Sequence, residues 1–240
     1  VIRASDLAQV EFTDPKTVRL ISTAYIDEPA MAPLADDDDE LAILEEIEGL
    51  TSARRSVTLP IPGGLHPGEL LTEAAGYGWT LVNAAFCYTR PTGNRFNGPD
   101  RGAWYASYGD LAIETAQAEV SWHLTRELEA TGVFDNLTSY RELFAGFTSQ
   151  FHELAPGTED AALHTDPATA YPAGQVLARD VLGSDGNGIL FPSSRHPGGQ
   201  CLVALRPHLV QNIRLGATWD FVWAGDPTPV MTKRKPQIGI

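Results

Sequence analysis

The segment "LAIETAQAEVSWHLTRELEATG", Leu111–Gly132, limits what this chain can fold into more than any other stretch. Ile113, Ala116, Val120, His123 and Leu124 share one face at helical spacing, and Gly132 follows the last turn, where a left-handed residue commonly closes a helix. The segments around it differ in kind. "AWYASY" before it, and "ILFPSS", "CLVALRP" and "TWDFVW" after it, are short and apolar and are bounded by glycine and proline, as strands are. From Trp79 onward the chain therefore reads as one continuous unit of helices and strands. "WTLVNAAFCYT" is taken as a buried strand and "ATAYPAGQVLARDVL" as a helix closed by the turn "GSDGNG". "YRELFAGFTSQFHEL" fits either period and is taken as a strand.

The first eighty residues have another character. "TVRLISTAYI" (Thr17–Ile26) fits a strand or a short helix. In "APLADDDDELAILEEIEGL", Leu41, Leu44, Ile47 and Leu50 recur at three-residue spacing with Ile43 beside them, a helix with one apolar face. Asp36 to Asp39 suit the positive end of its dipole, and a solvated helix start explains them better than a cation site. Packing of this face against the rest of the protein is expected. The connector "TLPIPGGLHPGELL" then separates an N-terminal extension, residues 1–78, from the unit at 79–240.

Charge narrows the function. Seventeen Lys+Arg against 31 Asp+Glu leave a net charge of -14, which disfavours direct nucleic-acid binding through phosphate neutralisation. An anionic small molecule can still bind where arginines cluster. The two cysteines, Cys87 and Cys201, sit in apolar surroundings far apart and read as buried thiols of a cytoplasmic protein. The six histidines form no metal-ligand spacing, so no metal is expected, and no run has the length of a membrane span.

Three places combine reactive side chains with backbone punctuation. "TRPTGNRFNGPDRG" carries Arg90, Arg95 and Arg101, whose guanidinium groups suit bidentate contact with phosphate oxygens. "ETAQAEV" carries Glu114 and Glu119, five positions apart and so not paired on one helix face. "GNGILFPSSRHPGG" carries Ser193 and Ser194 but no G-x-S-x-G elbow, which leaves a serine nucleophile weakly supported. Taken singly, Arg95 reads as a surface residue paired with Asp100, and His123 as a satisfied core histidine. His196, in a glycine loop, is more open to function. Trp104 and Tyr105 point to opposite faces of a strand, so at most one faces a pocket.

The order of these pieces says more than any one of them. "GNRFNGPDRGAWYAS", then "ETAQAEV", then "GILFPSS" resembles the RES-domain family, named for an arginine, a glutamate and a serine. The resemblance spans roughly Thr80 to Asp226. By matched position it implies that Arg95 is the motif arginine, Tyr105 the strand tyrosine, Glu119 the motif glutamate and Ser193 the motif serine, with Arg90 matching an earlier arginine.

It implies an α+β fold, a split β-structure like that of the ADP-ribosyltransferases with helices packed around it. It also implies a toxin of a bacterial RES–Xre toxin–antitoxin pair, cytoplasmic and restrained by a cognate helical, DNA-binding antitoxin. The implied substrate is NAD, cleaved at its nicotinamide–ribose bond with ADP-ribose passed to inorganic phosphate or water. Mono-ADP-ribosylation of a protein acceptor is the enzymatic alternative, and a catalytically silent binding module is the alternative of another class. In this scheme Arg90 and Arg95 hold the pyrophosphate and Glu119 stabilises positive charge on the ribose. Tyr105 stacks on the nicotinamide or bonds the ribose, and Ser193 orients the substrate or Glu119.

Overall fold

The computed structural model describes residues 2–26, 31, 34–55 and 60–235. The masked positions take in the first two residues of the segment read as the start of the acidic helix and the first two of the connector. Among the described residues, seven strands and four α-helices build an α+β fold around one sheet. The strands are β1 (Ala8–Ser22), β2 (Trp104–Tyr108), β3 (Asp135–Glu153), β4 (Gly188–Pro192), β5 (Gln200–Ala204), β6 (Gln211–Ala224) and β7 (Val230–Lys233). The helices are α1 (Asp38–Thr51), α2 (Trp79–Cys87), α3 (Ala112–Thr131) and α4 (Pro167–Gly183).

Strand order is β1-β2-β5-β4-β3-β6-β7, and β1 also pairs with β3, so the first five close into a ring. β3 is the trunk of the sheet. Its first half pairs with β6 from Asp135↔Ala224 to Gly146↔Gln211, and its end turns to β4 in parallel at His152↔Ile189. β1 runs antiparallel along β3 from Ala8↔Glu153 to Ser22↔Tyr140, with a bulge between Asp14 and Thr17. The N-terminal residues thus supply a strand that closes the ring.

Side-chain alternation divides the core between the two faces of the strands. Trp104 and Ala106 of β2, Leu190 of β4, and Leu202 and Ala204 of β5 meet Phe147 and Phe151 on one face. Ile189, Phe191, Cys201 and Val203 point the other way, onto Leu177 and Val181 of α4. Tyr105 joins this second group while Trp104 is wholly buried in the first, as opposite neighbours on a strand must be. A third cluster packs α3, through Ala112, Ala116, Val120 and Leu124, on Val18, Leu20 and Phe221. Both cysteines are free and buried.

Two expectations are corrected. "WTLVNAAFCYT" is no strand: Trp79–Cys87 is helix α2, entered through Gly78 in the left-handed region at φ 88°. Six of its nine residues are buried, so it is apolar on nearly every side and its pattern carries no period. Tertiary contacts decide: Val82 and Phe86, one turn apart, enter the core, and the Asn83 amide bonds Leu71 N, Leu71 O and Arg54 O. The second concerns α1, which forms where expected with Asp37 capping Glu40 N. Its apolar face is poorly covered, with Ile43 60%, Ile47 55% and Leu50 70% exposed and no residue of the helix buried. Its firmer ties are polar, through Glu45 and Glu48 to Arg54 and Arg55. Among the described residues no helix is long and apolar enough to cross a membrane.

Candidate active site

Helix α3 and the loop after β4 meet at one hydrogen bond. Ser193 Oγ donates to Glu119 Oε1 at 2.6 Å. The same oxygen accepts from the backbone N–H of Arg195 at 3.1 Å and of His196 at 3.0 Å. A hydroxyl has one proton and two lone pairs, so Ser193 is fully committed. Its proton points at the Glu119 carboxylate, and its oxygen is held by the two backbone N–H groups. Glu114, the other glutamate of "ETAQAEV", is exposed on the same helix, and Glu119 is the one brought to the serine.

The loop is fastened to α3 a second time. Thr115 Oγ1 lies 2.9 Å from His196 Nδ1, and Gly199 runs so close that a Cβ there would stand 2.3 Å from Thr115 Oγ1. His196 is thereby a tether between loop and helix. Gly199 is a position where only the absence of a side chain allows the approach.

Arg95 comes from the loop before β2 and is buried, 8% exposed. Expected on the surface beside Asp100, it instead drives inward between the loops. Nη1 donates to the carbonyls of Ala162 at 2.6 Å and His164 at 3.0 Å, and Nη2 to Ser194 Oγ at 2.6 Å. Three of five donors are spent, and among the described residues no carboxylate lies within 4 Å of it. A buried guanidinium held only by neutral acceptors keeps its full charge available to an anion.

Local chemistry explains how Arg95 is held there. Gly174 of α4 passes so close that a Cβ would stand 2.1 Å from Arg95 O. Tyr105, the second residue of β2, accepts from Phe96 N at 2.9 Å and donates to Asn97 Oδ1 at 2.9 Å. Its phenol is buried, which raises its pKa above the ordinary value, and it stays neutral. With the hydroxyl committed on both sides, Tyr105 braces the loop that carries Arg95.

The remaining candidates separate. Arg90 lies at the rim, its side chain 62% exposed and 3.3 Å from Glu127. Arg101 is a clamp elsewhere, bonding Glu69, Gly64 O and Leu205 O.

His123 is not the satisfied core residue expected: it is half-buried, and no hydrogen bond joins it to a described residue. Burial, then the fields of Arg90, Arg195, Arg126 and Arg95, bring its pKa down to about 4, so it is neutral near pH 7. Burial raises the pKa of Tyr171 on α4, which lies in the fields of Arg95, Arg195 and Glu119.

Trp122, Tyr171, Ser194 and Arg195 were not singled out as partners of the motif residues. The available signals were local: Trp122 stands three residues after Glu119, and Ser194 and Arg195 follow Ser193 directly.

In a protein of net charge -14, four arginines, Arg90, Arg95, Arg126 and Arg195, act on His123, and Arg95, Arg195 and Arg90 act together with the serine-bound Glu119 on Tyr171. The arrangement can hold an anion while presenting a fixed carboxylate beside it. Cavities elsewhere are built differently. One of about 150 Å³ lies behind the Arg95 loop at Asn97, Arg101 and Arg179, and one of about 730 Å³ lies at Tyr77, Trp79, His208 and Arg214. Neither is lined by Glu119, Ser193 or Arg95.

The model of the RES domain matches residues 70–224, well over half of the chain, and the protein belongs to the RES-domain family. Among solved structures it is similar to a chain of the M. tuberculosis MbcT–MbcA toxin–antitoxin complex. The identity is 14% with a TM-score of 0.46, over 92% of this chain and 90% of that one. No curated protein matches it.

Proposed function

We propose that this RES-domain protein is a toxin that consumes NAD in the cytoplasm, cleaving the nicotinamide–ribose bond and passing ADP-ribose to inorganic phosphate or water. The observation that carries the reading is the Glu119 carboxylate fixed by Ser193, with the buried Arg95 bonded to the neighbouring Ser194 and paired with no described carboxylate. As the glycosidic bond breaks, positive charge grows on the ribose and nicotinamide departs neutral. An oriented carboxylate stabilises that charge more in the transition state than in the ground state. The acceptor's oxygen forms the new bond to the ribose carbon and gives up its proton, which Glu119 is placed to take. Arg95, with Arg90 at the rim, supplies positive charge for the diphosphate.

Residues 79–240 carry this chemistry, and the residues before them complete the sheet with β1. As a member of a toxin family the chain is restrained by a cognate helical antitoxin of the Xre-like, DNA-binding kind, encoded beside it. Mono-ADP-ribosylation of a protein is the rival outcome of the same bond cleavage.

Induction in bacteria without a partner tests the reading. Wild-type chain is expected to arrest growth, while Glu119→Ala, present at equal level and folded, permits it. Arrest by the Glu119→Ala chain would remove catalysis from the account of toxicity.

A further inference from the structure

Arg195 takes no part in the assignments above, and its surroundings are unlike those of the other arginines. Its guanidinium carbon lies 3.4 Å from the centroid of the Trp122 ring, within stacking distance. Arg126 reaches the same ring at 4.9 Å, and His123 meets it edge-on at 4.9 Å and 84°. Trp122 stands three residues after Glu119 on α3, so its ring and that carboxylate share a side of the helix. At the other end the Arg195 backbone is anchored, its N–H donating to Ser193 Oγ at 3.1 Å. Platform, anchor and catalytic carboxylate are therefore one connected unit.

What Arg195 lacks is a polar partner. None of its five N–H donors is bonded to a described residue, its Nε is buried without a partner, and it makes no ion pair. Stacking on indole satisfies the flat face of a guanidinium and leaves its edge untouched. Burial lowers its pKa, and Arg95 and Arg126 act in the same direction, opposed by Glu119 and Tyr171. A rigid cation with an unused donor edge, set among like charges, is built for a ligand that brings negative charge and two or more acceptor oxygens.

We infer that Arg195, held flat on Trp122, is an oxyanion-binding residue of this site, positioning a phosphate group beside Glu119. The inference rests on the NAD reading only for the identity of that phosphate. Either the diphosphate of the dinucleotide or an inorganic phosphate acceptor presents the same oxygens to the arginine edge. A phosphate suits this setting better than a carboxylate, because it brings more charge and more acceptor oxygens to a site where Arg95 also acts on Arg195.

Calorimetric titration separates the possibilities, using folded wild-type, Arg195→Gln and Arg195→Lys protein and two probes, ADP-ribose and inorganic phosphate. Arg195→Gln is expected to weaken at least one probe tenfold or more, with Arg195→Lys recovering only part because a lysine neither stacks flat nor forks. Loss confined to inorganic phosphate assigns Arg195 to the acceptor, and loss confined to ADP-ribose assigns it to the diphosphate. Should Arg195→Gln fail to fold, Trp122→Leu, which keeps the charge and removes its platform, is expected to show the same selective loss.

Wild-type affinity for both probes in folded variants overturns the inference, and so does a wild-type protein that binds neither. NAD consumption by wild-type, measured alongside, tells the two readings apart. Turnover with unchanged binding in the variants sinks the role of Arg195 alone. Probe binding that Arg195→Gln weakens, with no NAD consumed under any condition, sinks the NAD reading and leaves the oxyanion site standing.

Discussion

Ser193 and Glu119, 74 residues apart in the chain, are joined by a 2.6 Å hydrogen bond in which the serine gives its only proton. Two backbone N–H groups occupy the oxygen's lone pairs, an arrangement that suits a positioning role in the proposed chemistry. Ser193→Ala frees the Glu119 carboxylate to rotate and removes a cap from the 193–199 loop. Turnover of NAD is expected to fall roughly 10- to 100-fold, less than the ~10²–10⁴-fold loss expected for Glu119→Gln. A rise in KM with kcat unchanged, measured by steady-state kinetics, would assign the serine to substrate binding instead.

Gly174 is the point at which α4 leans on the Arg95 loop. A Cβ there would meet Arg95 O at 2.1 Å and Arg95 C at 3.1 Å, and both are backbone atoms that cannot swing away. Gly174→Ala is expected to cost on the order of 1–3 kcal/mol in unfolding free energy and to lower activity by displacing Arg95. A urea titration and an activity assay on the same sample check both. An alanine variant as stable and active as wild-type would show that the loop yields freely.

Tyr105→Phe tests the brace on the other side of that loop. The change removes the phenol oxygen from between Phe96 N and Asn97 Oδ1, which leaves Phe96 N without this acceptor and Asn97 Oδ1 with only the Asn94 amide at 3.2 Å. Loss of roughly 1–3 kcal/mol is expected, with activity falling in step. Full stability with strongly reduced kcat would instead give the hydroxyl a direct part in the chemistry.

His123 makes stability depend on acidity. Burial, then four nearby arginines, set its folded pKa to about 4, below the ordinary 6.5. As pH falls below 6.5 the unfolded chain binds this proton first, so the folded state loses ground down to about pH 4 and is unaffected above 6.5. Between pH 7 and pH 5 the loss amounts to about 2 kcal/mol. His123→Gln is expected to flatten that portion of the stability curve, read by urea unfolding at the two pH values. An unchanged slope would place the proton uptake on other groups.

Much of this arrangement was legible in the sequence because local rules dominated it. Helix α3 showed its stripe and its closing glycine, and β2 showed its alternation, which put Trp104 and Tyr105 on opposite faces. The order of arginine, tyrosine, glutamate and serine pointed to the family, whose model spans residues 70–224.

What escaped depends on contacts far apart in the chain. Helix α2 is apolar on almost every side, so no period distinguished it from a strand. Taken singly, Arg95 looked like a surface charge, although the motif order made it a site residue, because the carbonyls that receive it, at Ala162 and His164, carry no side-chain signature. Trp122 and Arg195 lie 73 positions apart, and only the fold lays one on the other. The face of α1 looked bound to be buried, yet Ile47 and Leu50 remain largely exposed.

The most direct test of NAD consumption is to incubate purified protein with NAD, with and without inorganic phosphate, and identify the products by chromatography and mass. Wild-type is expected to release nicotinamide together with either phosphorylated ADP-ribose, where phosphate is the acceptor, or free ADP-ribose, where water is, and Glu119→Gln is expected to release neither. Intact NAD after prolonged incubation with folded wild-type protein, with no ADP-ribosylated protein formed on adding a bacterial lysate, would contradict the proposed activity.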